Sequence, residues 1–226
     1  MKFETHAALL AAVISLALAL SMLIGKDASG RRLKGRRLFL AICTCFFLWN
    51  FGSFLNRISG RGGWIAGISG WGLPLLAAAT VEGIVGVGKR PTWRRWRKTL
   101  WRLLFLWSLL FAWPVLQGRL TRSMEFFVEA AYALPPVVMA LSLLFWRTRV
   151  TPFASDRLRF RVLGHGALAV AIFLFLPSLR PLGRMAGAFY LFLLAQLVLH
   201  EPRRSPYEVV VRGIVFLILI VVMATI

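Results

Sequence analysis

Glu125, Glu129 and Tyr132 stand at i, i+4 and i+7 in the apolar stretch Met124–Trp146. On a helix that spacing puts them on one face. Acids in a stretch long enough to cross a membrane are costly there, and they mark ion, proton or ligand sites. Asn50 lies at a comparable depth in another such stretch, Leu38–Leu55. Trp64 and Trp71 add aromatic surface from a third, Trp64–Val85. Aromatic walls with a few polar groups suit a small-molecule pocket. Asn50, Trp64, Trp71, Glu125, Glu129 and Tyr132 are therefore the candidate ligand-binding residues, reached from outside between the second, third and fifth helices. The competing account is interhelical hydrogen bonding alone.

Glu82 is different. It lies 18 residues into the third stretch, about 27 Å at 1.5 Å per residue, towards the opposite face. Arg102 opens the next stretch at the same depth, so a structural Glu82–Arg102 ion pair is expected. His165, Gln196 and His200 share that level. His165, between two glycines, reads as an interface residue.

Other chemistry is thin. The chain has eight acids, three histidines and two cysteines among 226 residues. No nucleophile–base set, phosphate-binding glycine motif or paired-carboxylate centre occurs at an interpretable spacing. No catalytic residue, metal site or cofactor is expected, and the chain is not read as an enzyme. Cys43 and Cys45 are two apart, so on a helix they diverge and read as small core residues.

The elements that must carry these groups are helices. The sequence is 59% hydrophobic, too apolar for a soluble domain of this length. Apolar runs recur over Thr5–Ile24, Leu38–Leu55, Trp64–Val85, Leu100–Leu116, Met124–Trp146, Val162–Leu176, Met185–His200 and from Val209 onward. A hydrocarbon layer of about 30 Å needs about 20 helical residues, and only helices or closed barrels satisfy their backbone inside it. No alternation of the barrel kind is present. The expected fold is all-α, a polytopic bundle of seven to eight transmembrane helices. The proline pair Pro135–Pro136, and Pro114 after Trp113, should bend or break the fifth and fourth.

The formal charge of +20 is unevenly spread. Lys26 to Arg37, Lys89 to Lys98, Arg147 to Arg161 and Arg203 to Arg212 are heavily basic, while the alternate connections are sparse. That is the positive-inside pattern, with the N-terminus outside. It argues for anionic inner-leaflet lipid as a partner and against nucleic acid. The last apolar run, Gly213 to Ile226, stops without a polar flank. Residues 1–226 thus read as one helical domain, the N-terminal part of a longer protein.

Four stretches carry a family likeness. They are Arg37–Ala41 through Leu48–Gly52, Gly72–Leu76, Asp156–Leu163, and Arg203–Gly213 with Glu208–Val209–Val210–Val211–Arg212–Gly213 at its end. With the spans in place, the chain resembles the N-terminal seven-transmembrane sensor region of bacterial sensor histidine kinases. The resemblance implies a sensor or input domain in the bacterial inner membrane, feeding a two-component system. It also implies a small-molecule or membrane-derived signal, with a homodimer left open. No phosphorylatable histidine box or ATP-binding glycines are present, and His200–Arg204 departs from the family's pattern. The alternative function is a small transporter or channel using the intramembrane acids; no inverted repeat supports it.

Overall fold

The structure is a computed structural model. It describes residues 2–24, 36–61, 63–85, 91–116 and 122–196. Within these, the side chains of 91–97, 111–116 and 122–126 are among those left undescribed. The described residues form seven helices and no strand: α1 Lys2–Ile24, α2 Arg36–Ser59, α3 Gly63–Val85, α4 Pro91–Leu116, α5 Arg122–Val150, α6 Ala154–Phe175 and α7 Arg180–Leu194, with a 3₁₀ turn at Pro177–Leu179. Five helices, α1, α2, α3, α5 and α6, are long and apolar enough to cross a membrane. The segment expected from Val209 lies outside the described residues.

Several helices outrun their apolar cores. α4 starts at Pro91, α6 at Ala154, and α5 continues to Val150. Backbone hydrogen bonds do not stop where polarity begins. Pro91 at a helix start loses a donor that would be unsatisfied anyway, and Asp156 pairs with Arg159 one turn on at 3.6 Å. α7 likewise begins at Arg180 rather than Met185, with a proline in its first turn. Gly60 closes α2 at φ 70°, its N–H donating to the Asn56 carbonyl at 3.0 Å. That left-handed cap is cheap for glycine alone.

Six helices form a ring in which α1 packs on α2, α2 on α3, α3 on α5, α5 on α6, α6 on α7, and α7 back on α1. α1 closes it with a small-residue stripe. Ala7, Ala8, Ala11, Ala12, Ser15 and Ala19 are all buried, at the three- and four-residue spacing of one helix face. Small side chains let backbones approach closely. Here they also bring α2 and α7 within side-chain reach of each other, with the Phe46 ring lying against Gly187.

α4 stands outside the ring, against α5 and α3. Its Leu103, Phe105, Leu106, Leu109 and Leu110 are all exposed. In water such a face would drive aggregation, whereas lipid tails are as apolar as leucine.

Neither Pro135 nor Pro136 breaks α5, and α4 runs past Pro114. The reason is visible at α5. Pro135 has no N–H to give the Ala131 carbonyl four residues back. The Trp107 indole of α4 donates to that carbonyl instead, at 3.1 Å. One bond therefore repairs α5 and docks α4. Trp107→Phe should destabilise the folded protein by about 1 kcal/mol. The cost should shrink in a Pro135→Ala background, where residue 135 regains its own donor. Unfolding of the four combinations in mixed micelles measures the coupling, and equal costs in both backgrounds would refute the repair.

Candidate functional site at the paired end of the bundle

The end of the ring where α1 begins, α2 ends and α7 begins is held by two ion pairs. Arg57 of α2 pairs with Glu4 of α1. Arg180 of α7 reaches Glu129 of α5 at 2.7 Å. Both pairs are partly exposed, so each contributes modestly to stability. Together they tie four helices at one level.

Below this rim sits Arg184, one turn beyond Arg180 on α7. Its guanidinium lies over the Trp49 ring, 4.9 Å from the centroid, and its Nη2 donates to Ser53 Oγ at 3.2 Å. Both partners belong to α2. Asn50, between them in sequence, is fully buried. Its Nδ2 donates to the Phe46 carbonyl at 2.9 Å.

The expected ligand residues that are described do not all converge. Trp71 and Tyr132 do meet, with ring centroids 4.2 Å apart and the Tyr132 hydroxyl donating to the Trp71 carbonyl. That carbonyl is one residue past the one Pro74 leaves without its helical donor. Tyr132 thus acts as glue between α3 and α5. Asn50 is on the stripe of α2 that bears Phe46 and Ser53, which reach Gly187 and Arg184 of α7, while α3 stands between α2 and α5. Glu129 is exposed apart from its arginine, and Trp64 is exposed. The side chain of Glu125 lies outside the described residues.

At the opposite end, Glu82 is buried and accepts the Trp101 indole N–H at 2.6 Å. Arg102, its expected partner, is exposed, and no ion pair between the two is among the described contacts. His165 is exposed, its Nδ1 2.7 Å from the Arg161 carbonyl and its ring edge-on to Phe145. Gln196 is half-buried, and His200 lies outside the described residues. Cys43 and Cys45 are free thiols, and Cys45 Sγ donates to the Ser69 carbonyl at 3.0 Å.

Sequence reading missed Arg57, Arg180 and Arg184, counting them only as basic residues of sparse connections. A signal was present: Arg180 and Arg184 are four apart directly after Pro177, a spacing that puts both on one face if the helix starts there. No family model, curated protein or solved structure matches this chain.

Proposed function

We propose that this chain is the membrane-embedded sensor or input domain of a bacterial signal-transduction protein of the histidine-kinase type. It would lie in the cytoplasmic membrane as seven to eight spans, the N-terminus and paired end outside and the basic connections facing anionic lipid inside. One observation carries the reading. The Arg180–Glu129 pair grips α5 two turns before Pro135 and Pro136, and α5 continues as one helix to Arg147, Arg149 and Val150. A proline pair in an unbroken helix is a place where it can flex. Loosening the pair at one end could then shift the basic connection at the other. Signalling needs such an element with two arrangements, biased by whatever acts on the rim.

The test uses the full-length protein in its host. Glu129→Gln and Arg180→Gln should each change output severalfold at unchanged membrane abundance, and the exchange Glu129→Arg with Arg180→Glu should restore it in part. Unchanged output from both single variants would sink the reading, and so would a gene with no output module or signalling partner. Uptake by proteoliposomes, abolished by Glu129→Gln, would instead establish a transporter.

The orientation has its own test. In a chain with Cys43 and Cys45 replaced, single cysteines go in at Gly30, Thr92 and Gly118. An impermeant thiol reagent on intact cells should label only the Gly118 site. Labelling at Gly30 and Thr92 but not Gly118 would invert the topology.

A further inference from the structure

Arg184 and Asn50 each keep a buried polar atom without a hydrogen-bond partner, Arg184 Nη1 and Asn50 Oδ1. The two atoms have opposite demands: Nη1 can only donate and Oδ1 can only accept. The amide orientation follows from chemistry, since the Phe46 carbonyl can accept only from Nδ2. Both residues belong to one seam. On α2, Phe46 meets Gly187 of α7, and Ser53 meets Arg184 of α7. Asn50 is four residues after the first contact and three before the second, so it lies on the stripe between them. Buried polar groups in folded proteins almost always find partners. Two orphans of complementary sense at adjacent levels therefore point to a missing group.

Charge narrows what that group is. Arginine stays protonated; Arg184 is half-buried with its Nη1 shielded from water, and a cation so placed favours an anion. Among the described residues the neighbouring acids are paired with other arginines, Glu4 with Arg57 and Glu129 with Arg180. The described partners of Arg184 are a hydroxyl and an indole face. Arg57, Glu4 and Arg180 all lie close enough to act electrostatically on Arg184; Glu4 favours its charge and the two arginines oppose it, so the three cations together would draw an anion to the rim. Water could satisfy both orphan atoms without neutralising the charge. Chloride could neutralise it without donating to Asn50.

We propose that Arg184 and Asn50 bind a small oxyanion that carries its own O–H or N–H donor, at the seam of α2 and α7 below the paired rim. A hydroxycarboxylate and a protonated phosphate share this chemistry. The oxyanion accepts a charge-assisted hydrogen bond from Arg184 Nη1, and its own O–H or N–H donates to Asn50 Oδ1. Ser53 and the Trp49 face hold the guanidinium in place. The proposal concerns binding alone and stands whether or not the sensor reading holds.

The test is thermal unfolding of the purified full chain in detergent at constant ionic strength, titrated separately with glycolate, acetate, inorganic phosphate and chloride. Glycolate should raise the midpoint saturably. It should half-saturate at about tenfold lower concentration than acetate, which lacks the donor. Comparing phosphate with glycolate identifies the better class. Arg184→Gln should abolish the shift, and Asn50→Leu should erase the preference for glycolate over acetate. Ser53→Ala keeps the charge and should weaken binding severalfold, which provides a readout if the arginine variant does not fold. Equal shifts from all four salts, no shift from any, or a shift unaltered by Ser53→Ala and Asn50→Leu would overturn the proposal.

Discussion

Gly183→Ala is expected to destabilise the bundle by about 1–3 kcal/mol, and Gly183→Leu to leave little folded protein. A Cβ on residue 183 would lie 2.9 Å from Leu174 N and 2.9 Å from Phe173 C, both backbone atoms of α6. A side chain can change rotamer to admit a methyl group, but helix backbone cannot. α6 and α7 would have to move apart just beyond the 3₁₀ turn that joins them. The steric term must exceed the gain of about 1 kcal/mol that alanine normally brings over glycine within a helix. Gly67→Ala isolates that gain, because nothing lies within 4 Å of its added Cβ; this variant should be neutral or slightly stabilising. Unfolding in mixed micelles ranks the three proteins. Gly183→Ala matching Gly67→Ala would show that the α6–α7 contact yields easily.

The class of fold was legible because it depends on run length and composition. Five long apolar helices follow from stretches such as Thr5–Ile24 and Leu38–Leu55. Asn50 and Glu129 both lie towards the end of the ring where Arg57 meets Glu4 and Arg180 meets Glu129. Azimuth was not legible. Asn50 lies on the stripe of α2 whose Ser53 takes a hydrogen bond from α7, and Glu129 reaches α7 from the far side of the ring, because α1 packs on α7 and α3 separates α2 from α5. Nothing in one apolar helix announces which neighbour it will choose, since lipid competes equally for every leucine.

The same limit explains Glu82. Residues 101 and 102 lie at the same depth but about 100° apart around α4, so only one of them can face α3. Trp101 takes that side and donates to the carboxylate. Arg102 faces outward. Near a membrane surface a long charged side chain gains by reaching water, while an indole N–H gains by finding a buried acceptor. Pro135 carries a related lesson. Its missing donor was visible in the sequence, but the compensating Trp107 sits 28 residues away on a helix outside the ring.

The seam between α2 and α7 should answer to a size exchange. Phe46 and Trp49 are in edge contact at 5.7 Å between centroids, and each fits a glycine notch. A Cβ at Gly187 would meet Phe46 Cζ at 2.8 Å, and one at Gly70 would meet Trp49 Nε1 at 3.1 Å. The Phe46 ring cannot swing towards Trp49 without pressing that indole towards Gly70. Gly187→Leu should therefore be severely destabilising in the native background. Phe46→Ala alone should also be costly, about 3–5 kcal/mol by analogy with cores of soluble proteins, since it empties a filled site. Combined, the leucine occupies the volume the ring vacates. The double variant should be more stable than the sum of the single losses predicts, by about 1–3 kcal/mol of coupling. Gly70→Ala with Phe46→Ala serves as the contrast, because its clash is with Trp49 and should be relieved only through that second ring. Strict additivity in the Gly187 pair would mean that α2 and α7 are not in direct contact there. The seam holding Asn50 and Arg184 would then lose its geometric basis along with it.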